Sequence, residues 1–358
     1  MFKTSSPFVH ACVFALFVSA PLMAQSVVEA SPADAASISS APINMAPVLV
    51  SGVQPGPGLW KVSKGDHVMW VLGTVSPLPE KLQWKSDEVE QAVASSQQVL
   101  DAPGFVVGAH VGFFGQLFLL PSMIGLKNNP DHATLQDVLP VPLYRRWETA
   151  RGRYLGTSHR LKRLRPMFAG KELHELAIRK AGLTDDGGVN AVVDAMADRN
   201  HVARVNTAYQ FILENPRAAA STFKRSSIPD NACLGHILDS LDADLGRAAA
   251  RANAWSTGDI DTLRETLAIS QSDACLAAIG DATFAQKLGM QDVQQRIDSS
   301  WLHAARKALE RNRTTFAMLP MKQLLSDDGY LKQLQRDGYT VRSPDDAFDD
   351  ETIHPLTR

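Results

Sequence analysis

The hydrophobic pattern begins with an apolar run that ends at a polar break. Leu59 to Val75 reads "LWKVSKGDHVMWVLGTV", mixed at first and almost wholly apolar from Val68 to Leu72. The first part predicts a half-buried strand, and the continuous apolar part predicts a strand covered on both faces. Ser63-Lys64-Gly65-Asp66 lies between them and predicts a hairpin turn. Lys85 to Gln98 reads as a helix, and Val99-Leu100 as a short sheet strand broken by Asp101-Ala102-Pro103-Gly104. Helical spacing recurs over Thr134 to Ala150, with apolar Leu135, Val138, Leu143 and Trp147. It recurs from Lys171 to near Gly182, and over Gly188 to Arg199, Ile237 to Trp255 and Ala285 to Arg311. His201 to Ala208, "HVARVNTA", predicts one more strand. The closing unit is a helix over Tyr330 to Arg336, a left-handed stop at Gly338 and a returning strand over Tyr339 to Val341. Strands at both ends with helices between them predict an α/β domain: a central sheet with a largely helical middle.

One segment fits neither template. Phe105 to Leu126, "FVVGAHVGFFGQLFLLPSMIGL", is apolar but carries four glycines and Pro121, and His110 and Gln116 interrupt it. That makes it a poor membrane helix. It either packs inside the domain or offers an apolar patch to a lipid or protein partner. Packing is the expected outcome, because most apolar runs in globular chains are core.

The N-terminus adds a compartment. Lys3 precedes an apolar stretch from Phe8 to Leu22, and Met23-Ala24 supplies a small residue for cleavage. This is the form of a secretory signal peptide cut near Ala24-Gln25, too short to span a bilayer comfortably, with an uncleaved anchor as the alternative. Residues 1–24 are therefore expected to be the signal peptide. Residues 25–58, rich in Ala, Ser and Pro and without Lys or Arg, should form a flexible tether. Residues 59–343 should form the domain and 344–358 a C-terminal tail. A periplasmic or secreted location follows. Cys12 would leave with the signal peptide. Cys233 and Cys275 would remain, two thiols in an oxidising compartment, expected as a disulfide against the alternative of two buried free thiols.

Charge narrows the partners. Lys plus Arg number 36 against 38 Asp plus Glu, a formal net charge of −2. That offers no electrostatic case for nucleic acid, and no run of basic residues argues for an anionic membrane surface.

Catalytic signatures are sparse. His174-Glu175 opens like a zinc-binding H-E-x-x-H, but position 178 is Ile. There is no G-x-S-x-G, phosphate loop or dinucleotide fingerprint. The strand end Gly73-Thr74-Val75-Ser76 places a hydroxyl where a buried strand gives out into a loop, yet no His–Asp pair is identifiable beside Ser76. Glu310-Arg311-Asn312-Arg313 is a compact polar group between a helix and the apolar run "FAMLP". It either orients an anionic group or is a solvated helix end whose Arg complements the helix dipole.

Six segments in order together resemble the TraB/GumN family, which includes the TIKI-type metalloproteases: "LWKV…VMWVLGTV", "DHATLQDVLP…LYRRW", "RLRPMFAG", "NAWSTGDIDTL", "ALERNR" and "LLSDDGYLKQLQRDGYTV". The resemblance runs from about Leu59 to Val341. It implies an erythromycin-esterase/ChaN-like α/β fold and a metal-dependent hydrolase with a Gly-x-x-His motif after the first sheet strand and a second His near the end. This chain departs from that pattern. Ser76 stands in the first histidine's place, and Thr314 to Leu325 contains no histidine. Asp101 stands where an acidic residue is expected after the second strand, and Asn206-Thr207 where a glutamate would follow a later one. A serine hydroxyl is a poor ligand for Zn²⁺ or Mn²⁺ beside a neutral imidazole. Ser76 is thus read as a vacated metal position.

The expected cleft comprises Gly73, Thr74, Ser76, Asp101, Glu310, Arg311 and Asn312. The leading expectation is an exported, metal-free, non-catalytic member that binds a peptide or an envelope polysaccharide, with no metal site or cofactor. One alternative is a hydrolase or peptidase holding Mn, Co or Zn through shifted ligands drawn from Asp101, His67, His110 or Glu310. Another is a structural envelope protein that uses the 105–126 segment as a membrane or protein contact.

Overall fold

The computed structural model describes residues 53–80, 82–109, 121, 123–184, 188–226, 229–267, 286–290 and 292–346. The signal peptide, most of the tether, His110, Cys275 and the end of the tail lie outside the described residues.

The hairpin forms as predicted. β1 (Leu59–Lys64) and β2 (His67–Thr74) are antiparallel, with Leu59 opposite Leu72 and Lys64 opposite His67. Met69, Val71 and Leu72 are fully buried, as the apolar run requires. Two short strands follow, β3 (Leu78–Pro79) and β4 (Gln98–Leu100), with α1 (Asp87–Ala94) between them. Later elements complete the main sheet: β7 (Ala203–Val205), β9 (Thr314–Pro320) and β10 (Thr340–Arg342). Its order is β10-β1-β2-β9-β4-β7. β2, β9, β4 and β7 run parallel, and β1 is antiparallel to both of its neighbours. The protein is a mixed α/β fold around this mixed sheet.

β9 was not legible as a strand in its own right, because "TTFAMLP" was read only as an apolar run. It lies at the centre, between β2 and β4, with Thr315 to Leu319 buried. The last unit matches its prediction closely. α11 (Tyr330–Arg336) ends with Gly338 at φ +86, while Gly338 N–H bonds to Gln335 O and Tyr339 N–H to Leu334 O. These paired bonds satisfy the last carbonyls and need a left-handed residue, which glycine adopts without a Cβ clash.

The middle is helical. It comprises α2 (Leu135–Val138), α3 (Val141–Leu155), α4 (Pro166–Lys180), α5 (Val189–Arg199), α6 (Pro216–Arg225), α7 (Asp230–Thr257) and α8 (Ile260–Leu267). Leu139-Pro140 splits the expected helix from Thr134 to Ala150 into α2 and α3. Pro140 disfavours the helical conformation for Leu139, which is extended, and itself serves as the N-cap of α3. These helices build their own core, with Leu135, Trp147, Leu173 and Leu234 buried, beside the larger core around the sheet. α9 (Val293–Arg311) and α10 (Met321–Leu325) return the chain to the sheet.

Two expectations need correction. Residues 53–58, read as the end of a free tether, are pinned: Gln54 N–H bonds to Gln83 O and Gly56 N–H to Ser256 O. The described ends of the 105–126 segment are not core. β5 (Phe105–Ala109) pairs in parallel with β8 (Tyr209–Leu213) as a separate ribbon. Val106, Val107 and Met123 stand close to half exposed, and Ile124 is 74% exposed.

Candidate functional site

Parallel strands all end on one edge of a sheet, and ligand crevices of open α/β folds form outside those ends. Here that edge collects the loops after β2, β9, β4 and β7. Ser76 follows β2, and Asp101 follows β4 two strands away, about 10 Å by the spacing of neighbouring strands. Asn206-Thr207 follow β7.

The edge is well filled. Gly73 lies buried against α10, where a Cβ would come 2.3 Å from Met321 Cε and 2.8 Å from Leu324 Cδ1. Its carbonyl accepts a 2.7 Å hydrogen bond from the Trp255 indole N–H of α7. Trp84 packs edge-on against Trp255, ring centroids 5.4 Å apart. Thr74 Oγ1 donates to Leu319 O at 3.3 Å, tying β2 to β9. Ser76 is exposed beyond this plug, and its peptide bond to Pro77 is cis.

Asp101 is already engaged. Arg204 of β7 donates Nε to Asp101 Oδ1 at 2.8 Å, and its terminal nitrogen meets the same oxygen. Arg204 also reaches Asp194 of α5. The Asp101 carbonyl accepts from Thr207 Oγ1 at 2.9 Å and from the Trp301 indole at 3.1 Å. Thr207 is therefore a buried structural contact. Arg204 escaped the sequence reading. Its one signal was a cation inside a strand that otherwise reads as apolar.

The polar group of α9 lies elsewhere. Asn312 O accepts from His67 Nδ1 at 2.7 Å, Asn312 Nδ2 donates to Thr315 Oγ1 at 3.2 Å, and Arg313 O accepts from Val68 N–H. These contacts sit where β2 and β9 begin. From Val68 opposite Thr314 to Thr74 opposite Pro320 the strands advance six residues, about 20 Å. Glu310 and Arg311 are exposed at that far edge. The expected cleft is thus split: Gly73, Thr74, Ser76 and Asp101 share one edge, and Glu310, Arg311 and Asn312 share the other. Two of the shifted-ligand candidates, His67 and Glu310, are likewise on the far edge.

The donor set does not fit the metal that the resemblance implies. Among the described residues, no group of three His, Cys, Asp or Glu side chains could hold an ion. A divalent site needs several such donors converging on one point. At the near edge Ser76 contributes a hydroxyl, and the Asp101 carboxylate is held by the Arg204 guanidinium, which Asp194 shares.

A cavity of about 360 Å³ lies in the helical middle, lined by Asn129, Val138, Arg165, Pro166 and Asp230 among others. Arg165, whose side chain is 5% exposed, donates Nε to Asp230 Oδ2 at 2.8 Å. Its other nitrogens donate to Phe223 O and Ser226 O. Burial raises the Asp230 carboxyl above its usual value, and the Arg165 hydrogen bond and charge work against that shift. This pair latches the N-termini of α4 and α7 together. Burial also raises the Tyr330 phenol strongly, helped by the hydrogen bond it donates to Asp298.

A mixed α/β domain with a plugged strand edge and a helical insertion defines the class. The profile of the TraB/PrgY/gumN family matches residues 58–343, and the chain belongs to that family. No curated protein and no solved structure matches the chain.

Proposed function

We propose that this TraB/PrgY/gumN-family chain is an exported, non-catalytic member that binds a peptide or envelope polysaccharide and holds no metal. The observation that carries the reading is the Asp101–Arg204 pair. A carboxylate that accepts two guanidinium contacts, even from an Arg204 shared with Asp194, gains less from a cation than a free one. Ser76, at the same sheet edge, supplies a weak donor. The reading includes an erythromycin-esterase/ChaN-like arrangement for residues 59–343, a signal peptide over residues 1–24, a periplasmic or secreted location, and a membrane or protein contact through residues 105–126. It also includes the Cys233–Cys275 bridge. Cys233 being buried and disulfide-bonded supports that part. The exposure of Val106 and Val107 supports the surface contact.

Metal content of the protein purified from the periplasm without chelators tests the reading. The expected result is far less than one transition-metal ion per chain. About one tightly held ion per chain, with a peptidase activity abolished by chelation, would overturn it.

A further inference from the structure

No basic run stands out along the sequence, but folding gathers one in space. Residues 121–165 contain nine Lys or Arg and three Asp or Glu, in a chain whose formal net charge is −2. Four of these cations are neutralised locally: Arg146 by Asp239, Arg151 by Glu148, Arg153 by Asp242 and Arg165 by Asp230. Arg160, Lys162 and Arg163 are exposed, and among the described residues their side chains form no ion pair or hydrogen bond.

The backbone brings a second cationic segment beside them. Leu135 N–H bonds to Lys162 O, Asn129 N–H to Arg163 O and Arg165 N–H to Lys127 O, so residues 127–135 run along residues 162–165. Lys127 is exposed, with its ammonium 5.8 Å from the Phe168 ring centre. Just before it, a turn at 123–126 holds Met123 at 49% and Ile124 at 74% exposure. Lys224 of α6 donates to Ile124 O at 2.8 Å, and Arg225 beside it is exposed. Asp131 is an exposed acidic side chain on the same segment, and Asp137 is turned back to cap α2 at Thr134.

We propose that this surface (Met123, Ile124, Lys127, Arg160, Lys162 and Arg163) docks the protein on an anionic phospholipid bilayer. Two large apolar side chains in a turn, followed by a segment that runs beside uncompensated cations, match the boundary where acyl chains meet acidic headgroups. A purely polyanionic partner would not account for the exposed isoleucine and methionine. The contact is peripheral, since among the described residues no helix is long and apolar enough to cross a membrane. The proposal rests on the surface contact proposed for residues 105–126 and gives it a lipid partner; it stands apart from the metal question, so vesicle results and metal content fail independently.

The test is hydrogen exchange of the full chain with phosphatidylglycerol-containing vesicles, with pure phosphatidylcholine vesicles and with soluble dextran sulfate. Protection is expected in residues 123–135 and 158–165 with the anionic vesicles alone, and it should weaken as salt screens the charges. Lys162→Glu with Arg163→Glu should raise the lipid concentration needed for that protection about twentyfold or more, since each cation near an acidic surface contributes about fivefold. Ile124→Ser, which removes the apolar side chain without changing charge, should raise it as well, whereas a purely ionic contact would be unchanged. Both variants alter exposed side chains and should keep the wild-type circular dichroism. Equal protection by neutral vesicles, equal protection by dextran sulfate, or protection confined to other segments would each overturn the proposal.

Discussion

The two ends of the central sheet are built differently although the same strands supply both. Where β2 and β9 begin, the contacts are polar pins: half-exposed His67 to Asn312 O, and half-exposed Asn312 to the buried hydroxyl of Thr315. Where they end, the edge is closed by close-packed apolar side chains and a buried indole on Gly73. Water can replace the lost His67 pin at the first end, where the imidazole is partly exposed. It cannot enter the second without opening the core.

The largest expected effect breaks the closed end. Gly73→Val would drive its side chain into Met321 and Leu324, both buried, and should destabilise by about 3 kcal/mol. Urea unfolding would show it as a lower midpoint at unchanged slope. Next comes Trp255→Phe, which keeps most of the ring but strands the Gly73 carbonyl in the core. The expected loss is about 2 kcal/mol, measured in the same way. At the open end, Asn312→Ala should cost about 1 kcal/mol, and Glu310→Ala should fall within about 0.5 kcal/mol of wild type. Equal losses at the two ends would remove the distinction drawn between them.

Much of the fold was legible because its signals are local. The hairpin followed from alternation and turn residues, and the last helix from its spacing and Gly338. The helix over Val189–Arg199 was bounded correctly because Gly188 precedes its apolar face. The helix from Ile237 to Trp255 was found but undersized, since its first turn begins at Asp230, where the pairing with Arg165 holds it. The candidate site was half legible. Gly73, Thr74, Ser76 and Asp101 could be named because strand ends mark themselves by breaks. Asn312 could not be placed, because a motif at a helix end does not say which edge of the sheet its helix meets.

Local periodicity, turn chemistry and charge arise from neighbours along the chain, so the sequence by itself determined the α/β class, most element positions and the presence of a serine where β2 gives out. Strand order, the engagement of Asp101 by Arg204 and the basic-apolar surface around Ile124 join residues far apart in sequence. Only the tertiary structure decided these, because the energies that select them come from packing and charge between segments that have no local signal of one another.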